Sequence, residues 1–140
     1  MPIDMNITDH GLGVVVTGTG AVSEEEYLQF YRGVLAQGEG MINTFKYSLN
    51  DWSGVTSVSL SSAAIQEIAN LTKMIMLPPV QTLTAVVAPA DLTFGLSRMW
   101  QSFAEGPSMD IRVWRQRADA ESWLAEHLWE RFGLSSLTFR

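Results

Sequence analysis

The chain has 140 residues, 46% of them hydrophobic and 17% charged, with a formal net charge of −6. This suits one globular domain with its own core, and the acidic balance argues against a nucleic-acid backbone or an anionic membrane surface as main partner. There is no cysteine, which excludes disulfides and thiol chemistry.

The first ten residues, MPIDMNITDH, carry two acids and no apolar run, unlike a secretory signal. No stretch approaches the roughly 20 apolar residues of a membrane span, so a cytoplasmic location is expected. Residues 2–8 alternate weakly through Ile3, Met5 and Ile7 and read as a short edge strand. Residues 12–19 form a second strand centred on Val14, Val15 and Val16, broken by Gly18 and Gly20. Ser23 with Glu26 three residues on is a capping box, and it opens a helix with Tyr27, Phe30, Tyr31, Val34 and Leu35 on its buried face. Gly38 and Gly40 end that helix. Residues 45–50 make the third strand, closed by Asp51-Trp52-Ser53-Gly54, and residues 55–60 read as a loop.

Ser61 or Ser62 caps the next helix, in which Ile65, Ile68, Ala69, Thr72, Ile75 and Met76 share a face, and Pro78-Pro79 terminates it. Residues 83–88 are an almost unbroken apolar run, expected of a strand buried on both faces of a parallel sheet. Asp91 caps a helix with Leu92, Leu96, Met99 and Phe103 inward, stopped by residues 105–108, EGPS. Ile111, Val113 and Trp114 form the last strand. An amphipathic helix begins over residues 119–127, with Trp123 and Leu124 inward, and Gly133 ends it before a tail, 134–140. The domain is thus expected over 1–133. The order β-β-α-β-α-β-α-β-α implies an α/β fold, a mostly parallel mixed sheet of about five strands with four helices.

That order and three segments, YSLNDWSGVT (47–56), AVVAPADLTFGLSRMW (85–100) and IRVWRQRADAESWL (111–124), resemble the STAS-domain superfamily. More closely the chain resembles the SpoIIAA-like branch of small bacterial proteins, often described as STAS/Sec14-like, from about Gly13 to Leu124. The resemblance implies a STAS-type fold. Anti-sigma antagonists of this kind carry Asp-Ser-Ser-Gly-Leu at the second helix, with the first serine phosphorylated. An ungapped match places Ser59-Leu60-Ser61-Ser62-Ala63 there, so Leu60 stands at the phosphorylated position and the switch chemistry does not carry over.

Gly18-Thr19-Gly20 sits where a dinucleotide loop would, but Ser23 replaces the third glycine. Glu24, Glu25 and Glu26 follow, where a pyrophosphate needs positive potential, so a plain strand-to-helix turn is expected. His10 and His127 are the only histidines and have no second ligand at metal spacing, so neither a metal nor a cofactor is expected. No Gly-x-Ser-x-Gly elbow is present. Gly95 inside a helix implies close packing. Arg98, one turn on and off the apolar stripe, joins Asp51, Ser53, Asp91 and Phe94 as the candidate ligand-binding set at the carboxyl ends of the strands. A plain Arg98–Asp salt bridge is the competing reading. Phe94, Trp129 and Phe132 face away from their own cores and form the candidate interface of a homodimer, the alternative being a monomer with its tail folded back.

The function expected is a non-catalytic regulatory or binding module, with a protein partner or a small apolar ligand. The alternatives are a carrier of an apolar or lipid-like molecule, and an enzyme of unrecognised type using Arg98 and Asp51.

Overall fold

A computed structural model describes residues 2–37, 45–75, 81–107 and 109–140. Five strands, β1 (Ile3–Thr8), β2 (Gly13–Val22), β3 (Tyr47–Val58), β4 (Thr82–Val87) and β5 (Met109–Trp114), form one sheet in that spatial order. β1 runs antiparallel to β2 and every other pair is parallel. Helices α1 (Glu24–Ala36), α2 (Ser62–Ile75) and α3 (Asp91–Ala104) cover one face, and α4 (Arg117–Phe132) covers the other. The α/β class, the mixed sheet and the four-helix order expected from sequence are all present among the described residues. None of their helices is long and apolar enough to cross a membrane.

Two strands run further than their residues suggest. Gly18 and Gly20 do not end β2, and the 51–54 segment does not end β3; residues 55–58 are strand, not loop. The dinucleotide-like glycines therefore lie within a strand rather than in a turn. β2 and β3 pair to their ends through two register shifts, one of them between Thr17 and Thr19. Glycine allows this approach: a Cβ on Gly54 would lie 2.8 Å from the Gly18 carbonyl oxygen, and one on Gly18 would lie 2.6 Å from the Trp52 ring.

The Ser23–Glu26 capping box forms as expected, at 2.9 and 3.2 Å. Ser61 caps α2 by accepting the Ala64 N–H. The breaks expected at Gly38, Gly40, Pro78 and Pro79, and Met76 itself, lie outside the described residues. In α3 the expected stripe holds in part, Leu96 and Phe103 being partly buried, but the most buried positions lie one residue on. Thr93, Ser97 and Ala104 are buried with Trp100 beside them, while Leu92 is 60% and Met99 37% exposed. Beneath the helix the sheet presents Val86, Met109 and Ile111 together with Asn50, and Thr93 and Ser97 share a cavity lining with Asn50. Ala90, not Asp91, is the N-cap. Gly95 is exposed and a Cβ there would meet nothing, so close packing does not explain it.

On the opposite face α4 lays Ala120, Trp123, Leu124 and Leu128 over Val15, Tyr47, Leu49, Leu83, Ala85 and Val87. Gly133, at φ 66°, ends the helix, and the Leu134 N–H reaches back to the Leu128 carbonyl. The tail then folds back on this face. Leu134, Leu137 and Phe132 pack against the cluster and Phe139 is buried, edge-on to Tyr47 with ring centroids 5.1 Å apart. Tyr47 lies flat across Gly13, where any Cβ would be 2.0 Å from its ring. That crossing brings its hydroxyl to Thr8 at 2.7 Å and to Asp9.

Candidate ligand-binding site

In the middle of the three-helix face the sheet is polar. Side chains alternate between faces, so Ser48 and Asn50 of β3 point to this side, with Thr84 of β4 beside Ser48. All three are buried. Burying such groups costs free energy unless each finds a partner. Asn50 donates to the Ser48 hydroxyl at 3.3 Å, whereas the Thr84 hydroxyl has no partner among the described residues. Nor has the buried indole N–H of Trp100, which comes down from α3.

These groups border two cavities of about 60 Å³ each. One is walled by Tyr27, Tyr31, Trp52 and Trp100, with Asn50 below and Thr93 and Ser97 on its α3 side. The other lies toward Phe30, Phe45 and Met109 and includes Ser48, Thr72 and Thr84. Tyr31, Asn50 and Trp100 line both. No charged side chain among the described residues lines either. Burial pushes the Tyr27 phenol up to about 12, and burial with the neighbouring Tyr27 pushes Tyr31 up as well, so both hydroxyls stay neutral. The signal for this site in the sequence is the polar alternation of Ser48-x-Asn50 and Thr82-x-Thr84 within buried strand segments, which a pattern of apolar residues alone does not reveal.

The residues expected to line one cleft fall into separate clusters instead. Asp51 lies on the α4 face, where it accepts the Ser53 N–H at 2.9 Å and the Ser53 hydroxyl, and pairs with Arg117 at 3.1 Å. Arg117 also binds Glu121 at 2.8 Å and the Phe139 carbonyl at 2.7 Å. Burial lowers its pKa, but the two carboxylates outweigh that and the net shift is upward. Asp91, at the start of α3, pairs with Arg115 at 2.7 Å, and that guanidinium sits 4.3 Å from the centre of the Phe94 ring. Arg98 joins neither cluster: it is exposed and makes no ion pair or hydrogen bond among the described residues. The partner of Asp51 is thus Arg117, not Arg98. Of the three interface candidates, Trp129 is 62% exposed, Phe94 lies under Arg115, and Phe132 packs into the α4-face core with Lys46 5.0 Å from its centre.

The structure is similar to that of an uncharacterised DUF3478-family protein with a SpoIIAA-like fold from Shewanella loihica PV-4. The TM-score is 0.53 at 16% identity, over 87% of this chain and 91% of that one. It is also similar to the anti-sigma factor antagonist SpoIIAA in its unphosphorylated form, with a TM-score of 0.50 at 11% identity over 87% of this chain and 96% of that one. The fold is SpoIIAA-like. No family model and no curated protein matches the chain. Within this SpoIIAA-like frame, residues 59–63 lead into α2, and Ser61 gives both its N–H and its hydroxyl to Glu24 at 2.9 Å. Those bonds hold the Glu24 carboxyl below its ordinary value. A carboxylate thus sits against Ser61, one of the serines in the 59–63 segment.

Proposed function

We propose that the chain is a non-catalytic regulatory or binding module of STAS type, acting through what it binds. One observation carries this reading: on a SpoIIAA-like fold, the carboxylates nearest the carboxyl ends of the central strands are engaged by the chain's own arginines, Asp51 by Arg117 and Asp91 by Arg115. The Asp51 oxygens in particular are taken by Ser53 and Arg117, which leaves that carboxylate little to offer a substrate. The likeness to an anti-sigma factor antagonist, a protein named for its action on another regulatory protein, supports a protein partner. Assays against panels of esters, phosphoesters and amides are expected to give no turnover that Arg98→Ala or Asp51→Asn removes. Turnover abolished by either substitution in a folded variant would overturn the reading in favour of an enzyme.

Two aromatic-walled cavities under α3 favour a second reading, the carriage of a small apolar ligand beside the sheet. Self-association as a homodimer rests on Trp129, since Phe94 and Phe132 have partners within the chain. Sedimentation at micromolar concentration tests it: a dimer dissolved by Trp129→Ala supports it, and a monomer eliminates it. A cytoplasmic location in a bacterial cell accords with both readings.

A further inference from the structure

We propose that the paired cavities bind one neutral, ring-sized molecule carrying a hydrogen-bond acceptor, which takes the indole N–H of Trp100 and the hydroxyl of Thr84. The proposal rests on the small-ligand reading above and names the chemistry of that ligand.

Three buried polar groups have no partner among the described residues, and two of them, on Thr84 and Trp100, belong to residues that line the cavities, while the third, the Trp114 indole N–H, does not. Folded proteins pair nearly all their buried polar atoms, and those left over at a cavity mark the place of a missing partner. Thr84 is buried and its hydroxyl has no partner, although it lies at the centre of the sheet beside Ser48. The Trp100 indole N–H is buried and unpaired, and Trp100 lines both cavities. An indole N–H only donates, so its partner must be an acceptor, while the threonine hydroxyl serves as either. A carbonyl or ether oxygen satisfies both.

Charge is set by the rest of the lining. No charged side chain of the described residues faces the cavities, and burial keeps the Tyr27 phenol neutral up to about 12. An ion entering here would lose its hydration without gaining a counter-charge, so the ligand is neutral.

Shape and size follow from the walls. Tyr27 meets Trp52 edge-to-face at 5.4 Å, and Trp100 closes the other side, a surface suited to a flat unsaturated body. Each cavity alone, at about 60 Å³, holds only a few waters. The two share Tyr31, Asn50 and Trp100 in their linings, so a ring-sized molecule reaches across both only where these side chains move aside.

The test is an NMR titration of ¹⁵N-labelled protein with three probes of one size: acetophenone, ethylbenzene and benzoate. Acetophenone is expected to bind saturably and shift the Trp100 indole N–H signal, assigned through Trp100→Phe. It should bind about five- to tenfold tighter than ethylbenzene, the ratio one net hydrogen bond supplies. Thr84→Val, which keeps the shape and removes the hydroxyl, should narrow that ratio, and an unchanged ratio would remove Thr84 from the site. Equal binding of acetophenone and ethylbenzene would overturn the acceptor proposal and leave the small-ligand reading standing. Tighter binding of benzoate would overturn the neutral-ligand assignment. Binding by none of the three, with cavities that hold water only, would overturn both the proposal and that reading.

Discussion

Tyr47 donates its hydroxyl proton to Asp9 across the sheet, and the same Asp9 carboxylate accepts the N–H groups of Thr138 and Phe139 at 2.9 and 3.2 Å. Two residues far apart in sequence thus fasten the tail, with Phe139 stacked edge-on to the tyrosine that orients its anchor. Removing the hydroxyl leaves a partly buried carboxylate short of a donor. Tyr47→Phe is expected to destabilise the fold by about 1.5 to 3 kcal/mol, the range for a hydrogen bond to a charged group. Urea denaturation measures the loss. Hydrogen exchange should show faster exchange at Thr138 and Phe139 in this variant, and unchanged protection there would refute the linkage.

The same carboxylate gives stability an acid limb. Burial pushes the Asp9 carboxyl up, but hydrogen bonds from Tyr47, Thr138 and Phe139 outweigh it and hold the group below its ordinary value of 3.8. The folded protein therefore binds this proton less readily than the unfolded chain. Its contribution is complete above the unfolded value and is lost as the pH falls through the lowered folded one. As the pH falls through and below 3.8 the urea midpoint of the wild type should fall more steeply than that of Asp9→Asn, the two curves drawing together only below the lowered folded value. Parallel curves would show that Asp9 is not the responsible group.

Gly95 occupies the exposed side of α3, with open space where its Cβ would stand. Glycine in a helix interior costs about 1 kcal/mol relative to alanine. Gly95→Ala should raise stability by about 0.5 to 1 kcal/mol, read from the thermal midpoint. A loss of stability would mean that the bare backbone is needed here after all.

Ser61 serves as the cap of α2 and as donor to Glu24. Ser61→Ala is expected to cost about 1 kcal/mol, as loss of an N-cap does. Phosphate at this hydroxyl would face the Glu24 carboxylate, a like-charge arrangement that opposes modification. An anti-sigma-type kinase should leave Ser59, Ser61 and Ser62 unmodified. Stoichiometric phosphate on any of them, found by peptide mass spectrometry, would reverse this conclusion.

Much of the fold was legible because local and global signals agree. The Ser23–Glu26 box, the apolar run of β4 and Gly133 each announce an element that the structure places there. β3 was cut short because Trp52-Ser53-Gly54 has turn chemistry. In the sheet, Gly54 instead admits the close approach of Gly18. Apolar periodicity alone does not give the face of α3, because Thr93 and Ser97 sit with Asn50 round one cavity while Ala104, Trp100 and Phe103 meet the apolar cluster of Val86, Met109 and Ile111. Arg117 escaped notice as the partner of Asp51 because 66 residues separate them and no spacing rule spans that distance. Phe139 likewise gives no sign in sequence that it belongs to the core, since its place is made by Asp9, Tyr47 and Arg117 from three distant segments.

A module of this kind works by what it binds and should leave the cell with its companion. Native mass spectrometry of the protein isolated gently from its own cells is expected to show a stoichiometric non-covalent partner, either a protein or a small neutral molecule, released on denaturation. The mass of the bare chain in every charge state would contradict it.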